Sequence, residues 1–476
     1  DLQINSGRVL FTNPNNTFTN RLYVYNGSTV YAEVGADSPS WPASGSLGTG
    51  TLLLDNAGVS SDGTTARTIP NPVSLWNQTC YIGHATRNGV LTFSGNMTLS
   101  NGVRPLSILS DAMFQGILSG NGFDKQGTAT LTLSSSNTYT SASTISQGKV
   151  IFSGNNAAAT GGMNVTSLSS IIGMGQFESS ASIPGVARNI TVTAPGTAIF
   201  GTGFGAGNIP TALLTRIVAG STGALAVDNY TATNFDMNTA GLTALSLGSV
   251  GTNTYTGILT ANGTTYRVGG GGGALTINST ASLPATGNSI VINGNGNLGT
   301  VDFNGGSYTF DGGITISGGT VRNGTLSTAG TITIAGTPSV FVTLVGAMTL
   351  SAGTFTLSAP GGGFSGTITM SGGGLTLKWD DDGTGRPASY DFGANIAMTS
   401  GGTITVDKIG ALGSAMNKTL QLGTLNIGNQ NLTVANNNGF GLEFTGTTTL
   451  TNATPTFTVN NYTWGGLVPG LTLSGV

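Results

Sequence analysis

Residues 301–336 read VDFNGG SYTFDGG ITISGG TVRNG TLSTAG TITIAG, spaced here at the recurring turn residues. Each piece opens with a short run in which apolar and small polar residues alternate, the period of an extended strand. Each closes on Gly, Asn or Asp, the residues that tolerate a positive φ at a turn. Strand, turn and strand again is also the rhythm of a β-sandwich. Extent separates the two folds. The rhythm runs from Leu2 to the last residues of the 476-residue chain with no linker and no shift in composition. A uniform unit repeated over hundreds of residues predicts a solenoid, in which each coil buries its apolar face on the next.

The expected fold is therefore all-β: a right-handed parallel β-helix of about 20 coils, each holding three short strands in roughly 20–25 residues. At about 4.8 Å per coil this makes a rod near 100 Å long. One continuous domain, 1–476, is expected, with a loop excursion over 380–391. Helix is not expected. No apolar i, i+3, i+4, i+7 pattern is sustained, and glutamate occurs only at Glu33, Glu178 and Glu443.

Composition follows from such a fold. Charged residues make up 7% of the chain, against about 25% in ordinary soluble proteins. Like charges stacked on successive coils would repel across a few ångströms, whereas threonine is both soluble and suited to strands. Glycine supplies 78 residues, without the strict period of three that collagen needs. Val, Ile, Leu and Phe recur throughout, which separates the chain from disordered sequences.

Charge also limits partners. The formal net charge is −3 with no basic stripe, so a nucleic-acid backbone finds nothing to neutralise it. The longest apolar run, VFVTLVGAMTL at Val340–Leu350, is far short of the ~20 residues that span a bilayer. It reads as a buried strand pair, and no transmembrane segment is expected. Cys80 is the only cysteine, so no intrachain disulfide forms. The start, DLQINSGRV, reads as a processed or excised piece.

One stretch carries a family resemblance. ILSGNGFDKQGTATLTLSSSNTYTSASTISQGKVIFSG, Ile117–Gly154, resembles the autotransporter-associated β-strand repeat, also called the passenger-associated transport repeat. Lys125, Gly127, Leu131 and Leu133 match the first half of that motif. Asn137, Tyr139, Thr144, Ile145, Gly148 and Val150 match the second. Ala129 stands where Gly is usual, and Ser141–Ala142 replace the Gly pair after the tyrosine. The resemblance is best over 45–155 and partial over 250–290, where NTYTGILTANGTTYRVGGGGGALTI occupies Asn253–Ile277. It implies a β-helix outside a bacterial cell, in a surface or secreted protein, often an adhesin. The C-terminal membrane barrel of autotransporters is not visible in this sequence.

Candidate sites are few. Asp380, Asp381 and Asp382, in KWDDDGTGRPASYD, could ligate calcium or act as acid and base. However, EF-hand spacing fails and no histidine lies near, so a polar loop with Lys378 or Arg386 as counterion is expected. His84 follows Cys80 in CYIGH. Two ligands fall short of the four of a closed zinc site, and a buried thiol beside a loop histidine is expected. Gly269–Gly273 lacks the Lys-Ser/Thr of a phosphate loop and reads as a flexible turn. Tyr23, Tyr25, Tyr31 and Trp41 cluster near the start and either stack on sugars or a partner protein, or Tyr23 and Tyr25 share one strand face and pack inside or over the first coil. Asn-x-Ser/Thr sequons, among them Asn77, Asn229 and Asn461, are as frequent as the composition makes them by chance. No catalytic, cofactor or metal site is expected.

The function expected is structural: an extracellular fibre, sheath or filament that joins copies through its terminal coils at Asp1–Leu10 and Gly470–Val476. The alternatives are a passenger adhesin binding a cell-surface or carbohydrate ligand, and a carbohydrate-active β-helix enzyme.

Overall fold

The computed structural model describes residues 1–185, 189–204, 214–350, 353–359, 362–379, 389–410, 418–452, 454–460 and 468–475. The chain winds as a parallel β-solenoid of about 18 turns with almost no helix. It divides into two compact units, Asp1–Tyr230 with Ala240–Leu245, and Thr231–Thr239 with Ser246–Val476.

In the first unit strands pair in parallel with their counterparts one turn on, whereas the short strand Ser167–Leu168 pairs antiparallel with Ile171–Phe177. Leu22 pairs with Leu52, Leu52 with Val73, Val73 with Met97 and Met97 with Leu118. Turns are not of one size: the Leu22-to-Leu52 turn carries a long excursion, whereas Leu131 returns under Val150. Long turns consume chain, which is why fewer coils form than a uniform repeat predicts.

The alternation read in sequence is the burial pattern observed. In Leu131–Leu133 the two leucines are buried and Thr132 looks outward. Inward residues meet their equivalents coil after coil. Phe93, Phe114, Leu133, Phe152, Phe177 and Phe200 form one continuous column. Phe152 and Phe177 stack at 5.0 Å and 6°, while Phe93 meets Phe114 edge-on at 5.3 Å. Both are favourable arrangements of ring quadrupoles.

Turns are built into the stack as well. Asn137 is fully buried. Its Oδ1 accepts from the Leu118 amide at 2.8 Å, and its Nδ2 donates to Asn156 Oδ1 at 2.7 Å. Asn156 in turn donates to the Ser182 carbonyl at 2.9 Å. Such ladders satisfy corner groups that no strand partner reaches.

The second unit uses longer strands. The pieces TVRNG, TLSTAG and TITI, which read as separate strands, form one strand, Thr320–Ile334. Val340–Leu350, expected as a strand pair, lies within the single strand Ser339–Leu350. The turn residues bend the chain without breaking the ladder: Asn323 takes φ 57° inside Thr320–Ile334, where the register to Ser339–Leu350 shifts. One left-handed residue turns a corner while hydrogen bonding to the coils above and below continues. Leu275, Val301, Val321, Val340, Leu357, Leu377 and Val406 stack through this unit.

Among the described residues, no helix is long and apolar enough to cross a membrane.

Candidate functional site

The acidic cluster Asp380–Asp382 and Arg386 lie outside the described residues, as does Asn461. Among the described residues no group of three or more His, Cys, Asp or Glu side chains converges. Lys378 pairs in register with Asp407 on the next strand.

The structure assigns Cys80 and His84 different roles. Cys80 is fully buried and its thiol donates to the Leu54 carbonyl at 3.4 Å. Burial pushes the thiol up to about 12, so it stays protonated and unreactive. His84 sits in the loop that follows, where its Nδ1 accepts from the Thr86 amide at 3.2 Å.

The glycine run is a turn, but a close-packed one rather than a flexible one. Gly269 to Gly272 all take positive φ, and Gly269, Gly270 and Gly271 are buried. A Cβ on Gly271 would lie 2.3 Å from the Ser249 carbonyl, and one on Gly269 would lie 2.1 Å from Asn293 Oδ1. These glycines let successive coils approach at a corner.

The N-terminal aromatics separate by face. Leu22 and Val24 point inward, leaving Tyr23 and Tyr25 stacked at 4.4 Å on the outside. Tyr31 is buried. The motif residues of the family resemblance also find structural roles. Lys125 is fully buried, and its Nζ donates to the carbonyls of Gly127, Ala129 and Gln147. Tyr139 is fully buried against Phe123, between the exposed Thr138 and Thr140.

Among the described residues, a cleft lies around Tyr31. Arg8, Tyr31, Gly58 and Tyr81 occupy one register column on successive coils. Gly58 makes room for the Tyr31 ring, since a Cβ there would approach the ring at 2.3 Å. A cleft of about 750 Å³ opens beside this column, lined also by His84 and Arg87. Glu33, two residues beyond Tyr31 and buried, anchors the two guanidinium groups. Arg8 Nη1 donates to Glu33 Oε1 at 3.0 Å, and Arg87 Nε lies 2.7 Å from the same oxygen. The Arg87 guanidinium also sits over the Tyr31 ring at 5.8 Å, a cation–π contact. Two cations thus share one carboxylate. Burial, with Arg87 and Arg8 adding to it, lowers the His84 pKa, although Glu33 partly opposes the shift.

Arg8, Glu33, Tyr81 and Arg87 were not singled out in the sequence. The available signal was scarcity: charged residues are so few that three of them near equivalent coil positions mark a spot.

Comparison with family models, curated proteins and solved structures finds no significant match to the chain.

Proposed function

We propose that this chain is a non-catalytic structural protein of a bacterial surface, a right-handed β-helical element of an extracellular fibre, sheath or filament. The observation that supports it is the uninterrupted inward column from Phe93 to Phe200, held coil to coil by in-register backbone ladders. A dry stacked interior of this kind resists unfolding without disulfides or metal. Right-handed winding follows from the sterics of parallel crossovers, which are right-handed in about 98% of cases. The resemblance at Lys125–Val150 supports an extracellular bacterial setting.

Assembly is the second part of the proposal. The strands Leu2–Ile4 and Arg8–Phe11 each have a ladder neighbour on one side, Leu22–Tyr25 and Tyr31–Val34. Strand addition between copies would continue such ladders from one subunit to the next. Electron microscopy of the native material tests this. Regular filaments of contacting subunits are expected, and lone rods at high concentration and neutral pH would refute assembly. Turnover of a polysaccharide that Asp381→Asn abolishes would overturn the non-catalytic assignment and favour a carbohydrate-active enzyme.

The cleft beside Tyr31 favours a second reading, a surface adhesin, because a rod that only bears load has no use for a cationic cleft.

A further inference from the structure

We infer that the cleft beside the Arg8–Tyr31–Gly58–Tyr81 column binds the carboxylate of an acidic saccharide. This deepens the adhesin reading and does not depend on assembly. Four observations carry it. Arg8 and Arg87 converge on a single oxygen of one buried carboxylate, leaving one positive charge in excess where the whole chain is net negative. Arg87 Nη2 is buried with no hydrogen-bond partner, and Arg87 Nε, though close to Glu33, makes no aligned hydrogen bond. Unmatched buried donors of a charged group are costly. Arg87 lines the cleft, so an acceptor bound there can reach its guanidinium. Arg8 is already half-exposed there, with its side chain 52% accessible.

The third observation is size. About 750 Å³ is far more than a bare inorganic ion fills, and falls among clefts that hold small organic ligands, roughly 300–1,000 Å³. The fourth is the lining. Tyr81 offers a ring, and Ser28 and Thr29 offer hydroxyl groups, the surfaces that suit the faces and hydroxyls of a sugar. A guanidinium pairs with a carboxylate through two parallel hydrogen bonds. The class of ligand is therefore a uronic acid, alone or within a chain.

Titration calorimetry with a diuronate, the corresponding neutral disaccharide and inorganic phosphate tests this on the intact chain. The diuronate is expected to bind at least about tenfold tighter than the neutral sugar, and Arg87→Gln and Arg8→Gln each to weaken it about tenfold or more. Added salt is expected to weaken binding. Arg8 is half-exposed, so Arg8→Gln decides the matter should Arg87→Gln fail to fold. Equal binding of neutral and acidic sugars would overturn the inference, as would diuronate binding that Arg8→Gln leaves unchanged. Phosphate binding as tight as the diuronate would overturn the saccharide assignment, and no diuronate binding at millimolar concentration would overturn the whole. None of these outcomes bears on whether filaments form.

Discussion

Lys125 is a cation in the interior of a chain that has few charges of any kind. Three carbonyls surround its Nζ, and three acceptors match the three N–H groups of an ammonium. Burial nevertheless pushes its pKa down to about 7, with Asp111 opposing the shift. The unfolded chain holds the proton up to about 10.5. Below pH 7 both states are protonated and the burial cost is fully present. Between about pH 7 and 10.5 the unfolded state binds more protons, so stability rises with pH. Urea unfolding across this range is expected to show wild-type stability rising relative to Lys125→Met, and a flat difference would contradict it. At neutral pH, Lys125→Met strands three carbonyls and is expected to cost about 3 kcal/mol. Tyr139 is the reverse case. Its hydroxyl is buried with no partner, so Tyr139→Phe is expected to be neutral or stabilising by up to about 1 kcal/mol in the same assay. Both residues drew notice in the sequence through the resemblance, but their burial and partners did not show there. Burial of a lysine and of a tyrosine hydroxyl depends on which carbonyls the next coil presents.

At the scale of elements, the period-two alternation pointed to extended strands rather than helices, because burial on one face is a local property of extended chain. Strand ends were less legible. Asn and Gly were read as terminators, yet Asn323 lies inside Thr320–Ile334. A residue with positive φ changes chain direction, and whether it also ends hydrogen bonding depends on the coils beside it. The glycine run makes the same point. Gly271 takes φ +81° and faces the Ser249 carbonyl, so Gly271→Ala combines backbone strain with a clash. A loss of about 2 kcal/mol or more is expected, measurable as a shift in the denaturant midpoint, and an unchanged midpoint would mean that this corner is soft. In the aromatic column, Phe177→Ala opens a cavity between Phe152 and Phe200 and is expected to cost about 3–5 kcal/mol.

For the whole molecule, cohesion comes from ladders and apolar stacking. The described residues contain five ion pairs, several of them half-exposed. Exposed pairs contribute at most about 1 kcal/mol each and are screened by salt. Thermal unfolding is therefore expected to move by less than about 3 °C between roughly 0.05 and 0.5 M sodium chloride, and a larger shift would show that charge pairing matters more than stacking. The sequence alone determined that this chain is a parallel β-solenoid with apolar residues stacked inside, because alternation, turn chemistry and scarcity of charge are each local and repeat without interruption. It did not determine the cleft. Arg8, Tyr31, Glu33 and Arg87 come from three different coils. Their convergence depends on the register between coils and on the length of each turn, which only the folded stack decides.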